Sequence, residues 1–314
     1  MAKNSVKMIE IQNNSTLLEA AVAISRKLLP RPPHLTPGWC VAIASILEAT
    51  ARKPGNVNPD KNFADLSYDD LCNAARAMVP AFDQRKAISL GSIIKDAATR
   101  SRSKTRSNAN LGIIIAISPL AVASVSPGHP LRAADADSII KQCTAQDSLH
   151  IYDAIKISTA ASLSKRDSYD IHEPAPESIQ QAMRHAATTE PTDSIADLWA
   201  SGYESLWNNL VSDLKNNEVH GESWEQSIIF TALAQLARTP DSLIIRRHGR
   251  QKADQISSEA TSLLELPRDE RMAAIEAFDW RLRHPCRINP GTTADLVAAA
   301  LYVYLWNSKI HELF

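Results

Sequence analysis

The sequence predicts an all-α protein, a single large multi-helix bundle-like domain with one continuous core. Apolar residues recur at helical spacing through nearly the whole chain, and no stretch alternates apolar with polar residues over strand length. Glycine is sparse, nine in 314 residues, which suits neither a β-rich nor an α/β chain of this size.

Each segment is read in turn. Residues 1–14 are polar, have no apolar stretch ahead of a small-residue cleavage site, and read as a loose tail before a domain over 15–314. An apolar helical run then ends at Lys53-Pro54-Gly55, where Pro and Gly fix a turn. Ser67 reads as an N-cap with acid in the first turn, followed by Leu71, Ala75, Met78, Val79 and Phe82 at helical spacing. Further helices are expected over 90–100, 111–125, 134–143, 145–162, 177–188, 194–216, 223–237, 253–264 and 269–282. The polar stretch 163–176, with Asp167, Asp170, His172 and Glu173, reads as a long functional loop. The last helix starts at Pro290-Gly291-Thr292, with Thr292 and Asp295 spaced like a capping box. No fixed-period repeat points to a solenoid.

Composition narrows the function. With 44% hydrophobic residues the chain can bury a large core, and a net charge of −1 argues against a protein that coats nucleic acid or an anionic membrane. Anion binding must then be local. The four cysteines are scattered without a CxxC pair, which indicates neither a zinc site nor a disulfide framework and fits a reducing cytoplasm. The most apolar runs, 111–125 and 294–306, fall short of a membrane span of roughly 20 residues.

Two segments carry chemistry. In the first, Glu48 lies five residues before Lys53, and Lys53-Pro54-Gly55-Asn56 can present a cation and backbone amides to phosphate. Glu48 is a candidate catalytic carboxylate or metal ligand; its plain alternative is a solvated glutamate. In the second, Arg100, Arg102, Lys104 and Arg106 run into Asn108-Ala109-Asn110-Leu111-Gly112, where a helix begins, and helix N-termini favour phosphate. Asp96, one helix back, is a second candidate for metal or base duty. Arg246, Arg247 and His248 form another cationic turn, which either closes over a polyphosphate or caps a helix C-terminus. The run Arg281 to Arg287 reads as a solvated helix end.

These segments, in this order, resemble the triphosphoribosyl-dephospho-CoA synthase family. In that family a helix ending in Pro-Lys-Pro-Gly with a following Leu-Val-Asp or Asn-Val is succeeded by an Asn-Thr-His-Lys-Gly or Asn-Thr-Asn-Leu-Gly signature. The likeness extends through Asp147-x-x-x-x-Tyr152-Asp153-Ala154-Ile155, the Asp170 loop, Pro240-Asp241-Ser242-Leu243-Ile244 and Asn289-Pro290-Gly291-Thr292-Thr293-Ala294-Asp295, covering roughly 38 to 306. Here the family's His-Lys pair is Asn110-Leu111, its Thr is Ala109, and its Asp is Asn58, which places the chain in the Asn-Leu-Gly branch.

The resemblance implies an all-α transferase that joins the 2′-hydroxyl of 3′-dephospho-CoA to C1 of the ATP ribose and expels adenine. On that basis the catalytic candidates are Glu48, Asp96 and Asp170. The nucleotide-binding candidates are Lys53, Gly55, Asn56, Arg106, Asn108, Asn110, Gly112, Arg246 and Arg247. Glu48 and Asp96 are the candidate metal ligands, and Mg²⁺ is implied by the nucleotide alone. Two rivals stay open: phosphoribosyl-type transfer to another cofactor precursor, and a non-catalytic nucleotide-binding helical protein. The expected partners are ATP and the acceptor, with no nucleic acid, no membrane, and a homodimer left open.

Overall fold

The computed structural model describes residues 11–28, 35–84, 88–105, 109–126, 129–159, 167–308 and 310. Among them the chain forms fifteen α-helices and one π-helical turn, and its only β pairings are isolated bridges. The all-α expectation holds. Of the expected tail, residues 1–10 lie outside the described residues, and Ile11 packs against the main core.

Three helices that are apolar on every face form the centre: α2 (Pro37–Thr50), α5 (Leu111–Ala123) and α15 (Gly291–Asn307). A helix without a polar face must be enclosed on all sides. Around them lie α1 (Leu17–Leu28), α3 (Tyr68–Asp83), α4 (Leu90–Arg102), α6 (Ala133–Lys141) and α7 (Ala145–Thr159). The second half adds α8 (Ile179–Thr188), α9 (Ser194–Ala200), the π turn Leu206–Val211 and α10 (Ser212–Val219). It continues with α11 (Trp224–Arg238), α12 (Ser242–His248), α13 (Arg250–Glu265) and α14 (Arg268–Arg283). No single described helix is long and apolar enough to cross a membrane; α11 and α12 approach that length only as a pair bent by 60°.

Local chemistry explains where helices start. The hydroxyl of Ser67 accepts from the Asp70 amide at 3.1 Å while Asp70 Oδ2 accepts from the Ser67 amide at 3.0 Å, the reciprocal cap expected for α3. The capping box read at Thr292 and Asp295 does not form. Pro290 starts α15 two residues earlier than Thr292, so Asp295 falls inside the helix and its carboxylate is left for other work.

The long helix expected over 194–216 is broken. Pro119, inside α5, cannot donate to the carbonyl of Ile115, and Trp199 Nε1 fills that vacancy at 3.1 Å. The buried Tyr203 hydroxyl donates to the next carbonyl, Ala116, at 2.7 Å. Anchoring both rings on α5 requires the chain to bend between α9 and the π turn, which it does at Gly202 and Tyr203, both with positive φ.

The expected continuous core is divided. A large cluster surrounds α2, α5 and α15, and a smaller one joins α11–α14 through Phe230, Leu233, Ile256 and Phe278. Helix α11 serves both, with Trp224 and Ile228 on one side and Ile229 and Phe230 on the other.

Helices α4 and α7 touch through Gly91, where a Cβ would lie 2.6 Å from Asp147 Cα. Asp147 Oδ1 accepts from the Gly91 amide at 2.8 Å and Oδ2 from the Thr144 amide at 2.9 Å. Burial alone raises the Asp147 pKa, but these bonds outweigh it and hold the group below the ordinary carboxylate value. Gly91→Ala should therefore destabilise the fold by about 1–3 kcal/mol, the usual scale for overpacking. Chemical denaturation with an unchanged midpoint would contradict this contact.

Candidate active site

A cavity of about 770 Å³ opens where the C-terminal turn of α2 meets the first turns of α5, α9 and α15, with α7, α8 and α12 as its sides. Several helix N-termini converge on it. The sequence candidates Glu48, Asn56, Asn110, Gly112, Asp170, Arg246 and Arg247 all line it.

Lys53 and Gly55 do not line it. The turn that carries them folds back on the helix it terminates. Lys53 is 1% exposed, and its ammonium lies 2.8 Å from Glu48 Oε1 and 3.3 Å from the Ala51 carbonyl. Its charge is spent on Glu48. Gly55 adopts φ +77°, a conformation glycine accepts readily, and its amide donates to Asp279 Oδ1 at 2.7 Å. Asn56 Nδ2 donates to Asn289 Oδ1 at 2.7 Å, which ties the turn to the strap before α15. Asn58 Oδ1 accepts from the Asp60 and Lys61 amides, both at 3.1 Å, so asparagine here closes a tight turn.

Asp96 lies off the cavity, on α4, with Arg100 Nε 2.9 Å from its carboxylate. Asp170 is buried, and its Oδ1 accepts from the His172 amide at 2.7 Å. Arg106 and Asn108 lie outside the described residues.

One wall is cationic. It carries Arg246 and Arg247 from α12, Arg102 from the end of α4, and Arg287 from the segment before α15. Arg246 pairs with Asp193 at 3.2 Å, and Arg287 pairs with Asp65 at 2.5 Å while its guanidinium lies 3.8 Å over the Phe63 ring. Arg247 has no hydrogen bond or ion pair among the described residues. Partial burial, then Arg287 and Arg246 beside it, lower its pKa below the ordinary arginine value. Asp65 offsets these charges in part, and an anionic ligand would offset them further.

The adjoining surface, on α2 and α15, is anionic. Glu48 is 6% exposed, and Asp295 stands beside it on the second turn of α15. Burial first, then Glu48 and Asp241, push the Asp295 pKa well above the ordinary carboxylate value. Gly112 lets the Asp295 carboxylate lie close to α5, because a Cβ at 112 would fall 1.9 Å from Asp295 Oδ2 and force that side chain to move. Between the walls Asn110 is 2% exposed, and its Nδ2 has no hydrogen-bond partner among the described residues. A buried donor left unpaired at a cavity wall awaits a ligand acceptor.

Asp241 holds the walls together. Its Oδ1 accepts from the Leu243 and Ile244 amides at 2.9 and 3.0 Å, and its Oδ2 accepts from the Thr293 amide at 2.7 Å. One carboxylate thus caps α12 and fixes the start of α15.

Sequence reasoning missed Asp295, Arg287 and Asp193 as members of this site. Asp295 was visible as a helix-start residue and as part of the family likeness over 289–295, with no role assigned to it. Arg287 reaches the cavity because the segment after α14 turns back along the Asn56 turn, and no local pattern announces that turn.

The cavity of this all-α chain thus gathers guanidinium groups, carboxylates and an unpaired amide donor, a set able to bind a phosphorylated ligand. Residues 35–312 match the CitG family, described as ATP:dephospho-CoA triphosphoribosyl transferase, and the chain belongs to that family of ATP-dependent enzymes. A solved structure titled "Crystal structure of putative triphosphoribosyl-dephospho-coA synthase from Archaeoglobus fulgidus" is similar in fold, with a TM-score of 0.57 and 20% identity, over 75% of this chain and 98% of that one. No curated protein matches the chain.

Of the two candidate metal ligands, Glu48 lines the cavity with Oε1 2.8 Å from the Lys53 ammonium, and Asp96 lies off it; the described residues contain no group of three metal-binding side chains.

Two outcomes follow. Lys53→Ala leaves the Glu48 charge buried and unpaired, and should destabilise the fold by about 3–5 kcal/mol in chemical denaturation. A loss below about 1 kcal/mol, the range of exposed pairs, would show that the pair is solvated. Asp295→Asn should raise the melting temperature of the ligand-free protein at neutral pH. The folded-state pKa of Asp295 is raised, so the native form favours the protonated acid, and stability falls as pH rises from the unfolded value of 3.8 through the folded one. The asparagine gain should therefore vanish at pH values below the unfolded pKa. The charged groups facing Asp295 are Glu48 of α2, Arg246 of α12, Asp241 ahead of it and Asp193 ahead of α9; α5 presents only backbone there. A melting temperature lowered at neutral pH and unaffected by acid would contradict the assignment.

Proposed function

We propose that this chain transfers the triphosphoribosyl group of ATP to the 2′-hydroxyl of 3′-dephospho-CoA and releases adenine. The observation that carries the reading is a single cavity lined both by Arg246, Arg247 and Arg287 and by Glu48 and Asp295, with Arg247 in no hydrogen bond or ion pair among the described residues. Family membership supplies the substrate pair.

The chemistry divides between the two walls. The triphosphate lies against Arg246, Arg247 and Arg287, where planar guanidinium groups hold phosphate oxygens through charged hydrogen bonds. This leaves the ribose C1 beside Glu48 and Asp295. As the bond from C1 to adenine N9 lengthens, positive charge develops on the sugar, and the acidic groups beside it stabilise that charge more than the neutral ground state. The same charge favours the ionised form of Asp295, against the burial and the neighbouring Glu48 that raise its pKa in the free protein. Glu48, paired with Lys53 at 2.8 Å, accepts the proton of the incoming 2′-hydroxyl while the hydroxyl oxygen bonds to C1. Adenine leaves with the N9 electron pair and takes up a proton. Asn110 Nδ2 donates to the ribose or the base, and Mg²⁺ enters with ATP as part of the substrate.

One departure favours a second reading. The family's His-Lys pair is Asn110-Leu111 here, which removes a cation from the cavity lining, so a different sugar-hydroxyl acceptor is the alternative.

Adenine release with ATP and dephospho-CoA tests the reaction, and two variants test the walls. Glu48→Gln should lower turnover by roughly 10²-fold or more while ATP still raises the melting temperature. Arg247→Ala should weaken ATP binding by about 1.5–3 kcal/mol, the worth of a hydrogen bond to a charged group. Near-normal turnover in the first variant, or unchanged ATP affinity in the second, would remove that wall from the mechanism.

A further inference from the structure

The cavity has a third side that neither the phosphates nor the reacting sugar requires. It is built from Tyr152 and Ile155 of α7, Tyr169 and Ile171 of the following loop, and Ile179 and Met183 of α8. This side is apolar and aromatic. Its ionisable neighbours are Asp170, whose carboxylate accepts from the His172 amide, and His185, whose ring lies 5.2 Å from that of Tyr169. The hydroxyls of Ser158 and Ser168 also line the cavity, a small number of polar anchors on an otherwise apolar surface.

Tyr169 is the unusual member. Its φ of +55° lies in the left-handed region, which a bulky side chain seldom adopts. The other described non-glycine residue with positive φ, Tyr203, is explained by its buried hydrogen bond to α5. Tyr169 has no such reason, because its side chain is 40% exposed and faces the cavity. Instead the Tyr152 hydroxyl donates to the Tyr169 carbonyl at 3.0 Å and holds the backbone in place. Strain maintained by a second residue, with the ring delivered to a cavity rim, marks a contact made to a ligand.

We propose that this side, with Tyr169 as its lip, binds the uncharged amide-and-methylene arm of the acceptor and so selects dephospho-CoA over nucleotides that lack the arm. The proposal rests on the transfer reaction above. That reaction brings two adenine nucleotides to one cavity, and the acceptor is distinguished from the donor by its long neutral chain. An ionic wall repels such a chain, because its charged groups would lose water without gaining a partner. The α7–α8 side carries no such penalty, and the two serines suit the amides.

The test uses the full chain with ATP and either dephospho-CoA or ADP as acceptor; ADP offers the same ribose hydroxyl without the arm. Wild type should prefer dephospho-CoA in kcat/KM by on the order of 100-fold, the scale of a buried apolar contact several methylenes long. Tyr169→Gly should raise KM for dephospho-CoA about 10-fold, hold KM for ATP, and shrink the preference over ADP accordingly. Its melting temperature should not fall, since glycine accepts this φ without strain. Met183→Ala should act in the same direction through the opposite edge of the surface. An unchanged KM for dephospho-CoA in both variants would overturn the proposal, as would a parallel rise in KM for ATP or equal use of ADP by wild type. If wild type releases no adenine with either acceptor, the transfer reaction itself fails. The arm site is then read from binding alone: dephospho-CoA raising the melting temperature of wild type more than that of Tyr169→Gly supports it, and equal shifts overturn it.

Discussion

The site depends on the buried pair between Lys53 and Glu48. A helix that is apolar on every face runs into the centre of the bundle and ends in a carboxylate with almost no contact with water. An isolated charge there would be too costly to keep ionised. The Lys-Pro-Gly turn solves this by bending the chain back within five residues, so that an ammonium meets the carboxylate at 2.8 Å. Gly55, Asn56 and Asn58 then hold the turn through Asp279, Asn289 and their own neighbouring amides. What looks from the sequence like a phosphate loop is a clamp that pairs one buried carboxylate with an ammonium.

Burial and like-charged neighbours shape the rest of the cavity. Burial first, then Glu48 beside it, drive Asp295 toward its protonated form, and burial with Arg287 and Arg246 lowers the pKa of Arg247. A molecule that brings phosphate to one side and developing positive charge to the other relieves both, which is how a preorganised site favours a transition state over a ground state. Asp241 keeps the walls in register because a single carboxylate caps α12 and anchors the first turn of α15. The cost appears as stability withheld from the free protein, most directly at Asp295.

Much of this was legible in the sequence, and the parts that were not share a cause. Helical periodicity, the Ser67 cap and the apolar runs fixed the fold class because those signals act within one or two turns. The break between α9 and α10 escaped notice because it arises from Pro119, some eighty residues away in sequence, whose missing amide leaves a carbonyl for Trp199. Lys53 was read as a phosphate contact because a cation in a Pro-Gly turn commonly faces outward; only the packing shows that it faces Glu48. Arg287 and Asp295 were hidden in the same way, one in a run of arginines and one behind a capping pattern that the preceding proline displaces. Residues whose role depends on which chain segments cross were the ones that local pattern could not supply.

The central claim is that the two walls act on one sugar, with phosphates held on one side and the glycosidic carbon exposed to the other. Mass spectrometry of the acceptor after incubation with ATP tests it directly, with adenine counted in the same mixture. The account predicts dephospho-CoA enlarged by the intact triphosphoribosyl group, with one adenine freed for each acceptor converted. Release of inorganic phosphate or pyrophosphate, with adenine still attached to its ribose, would contradict it.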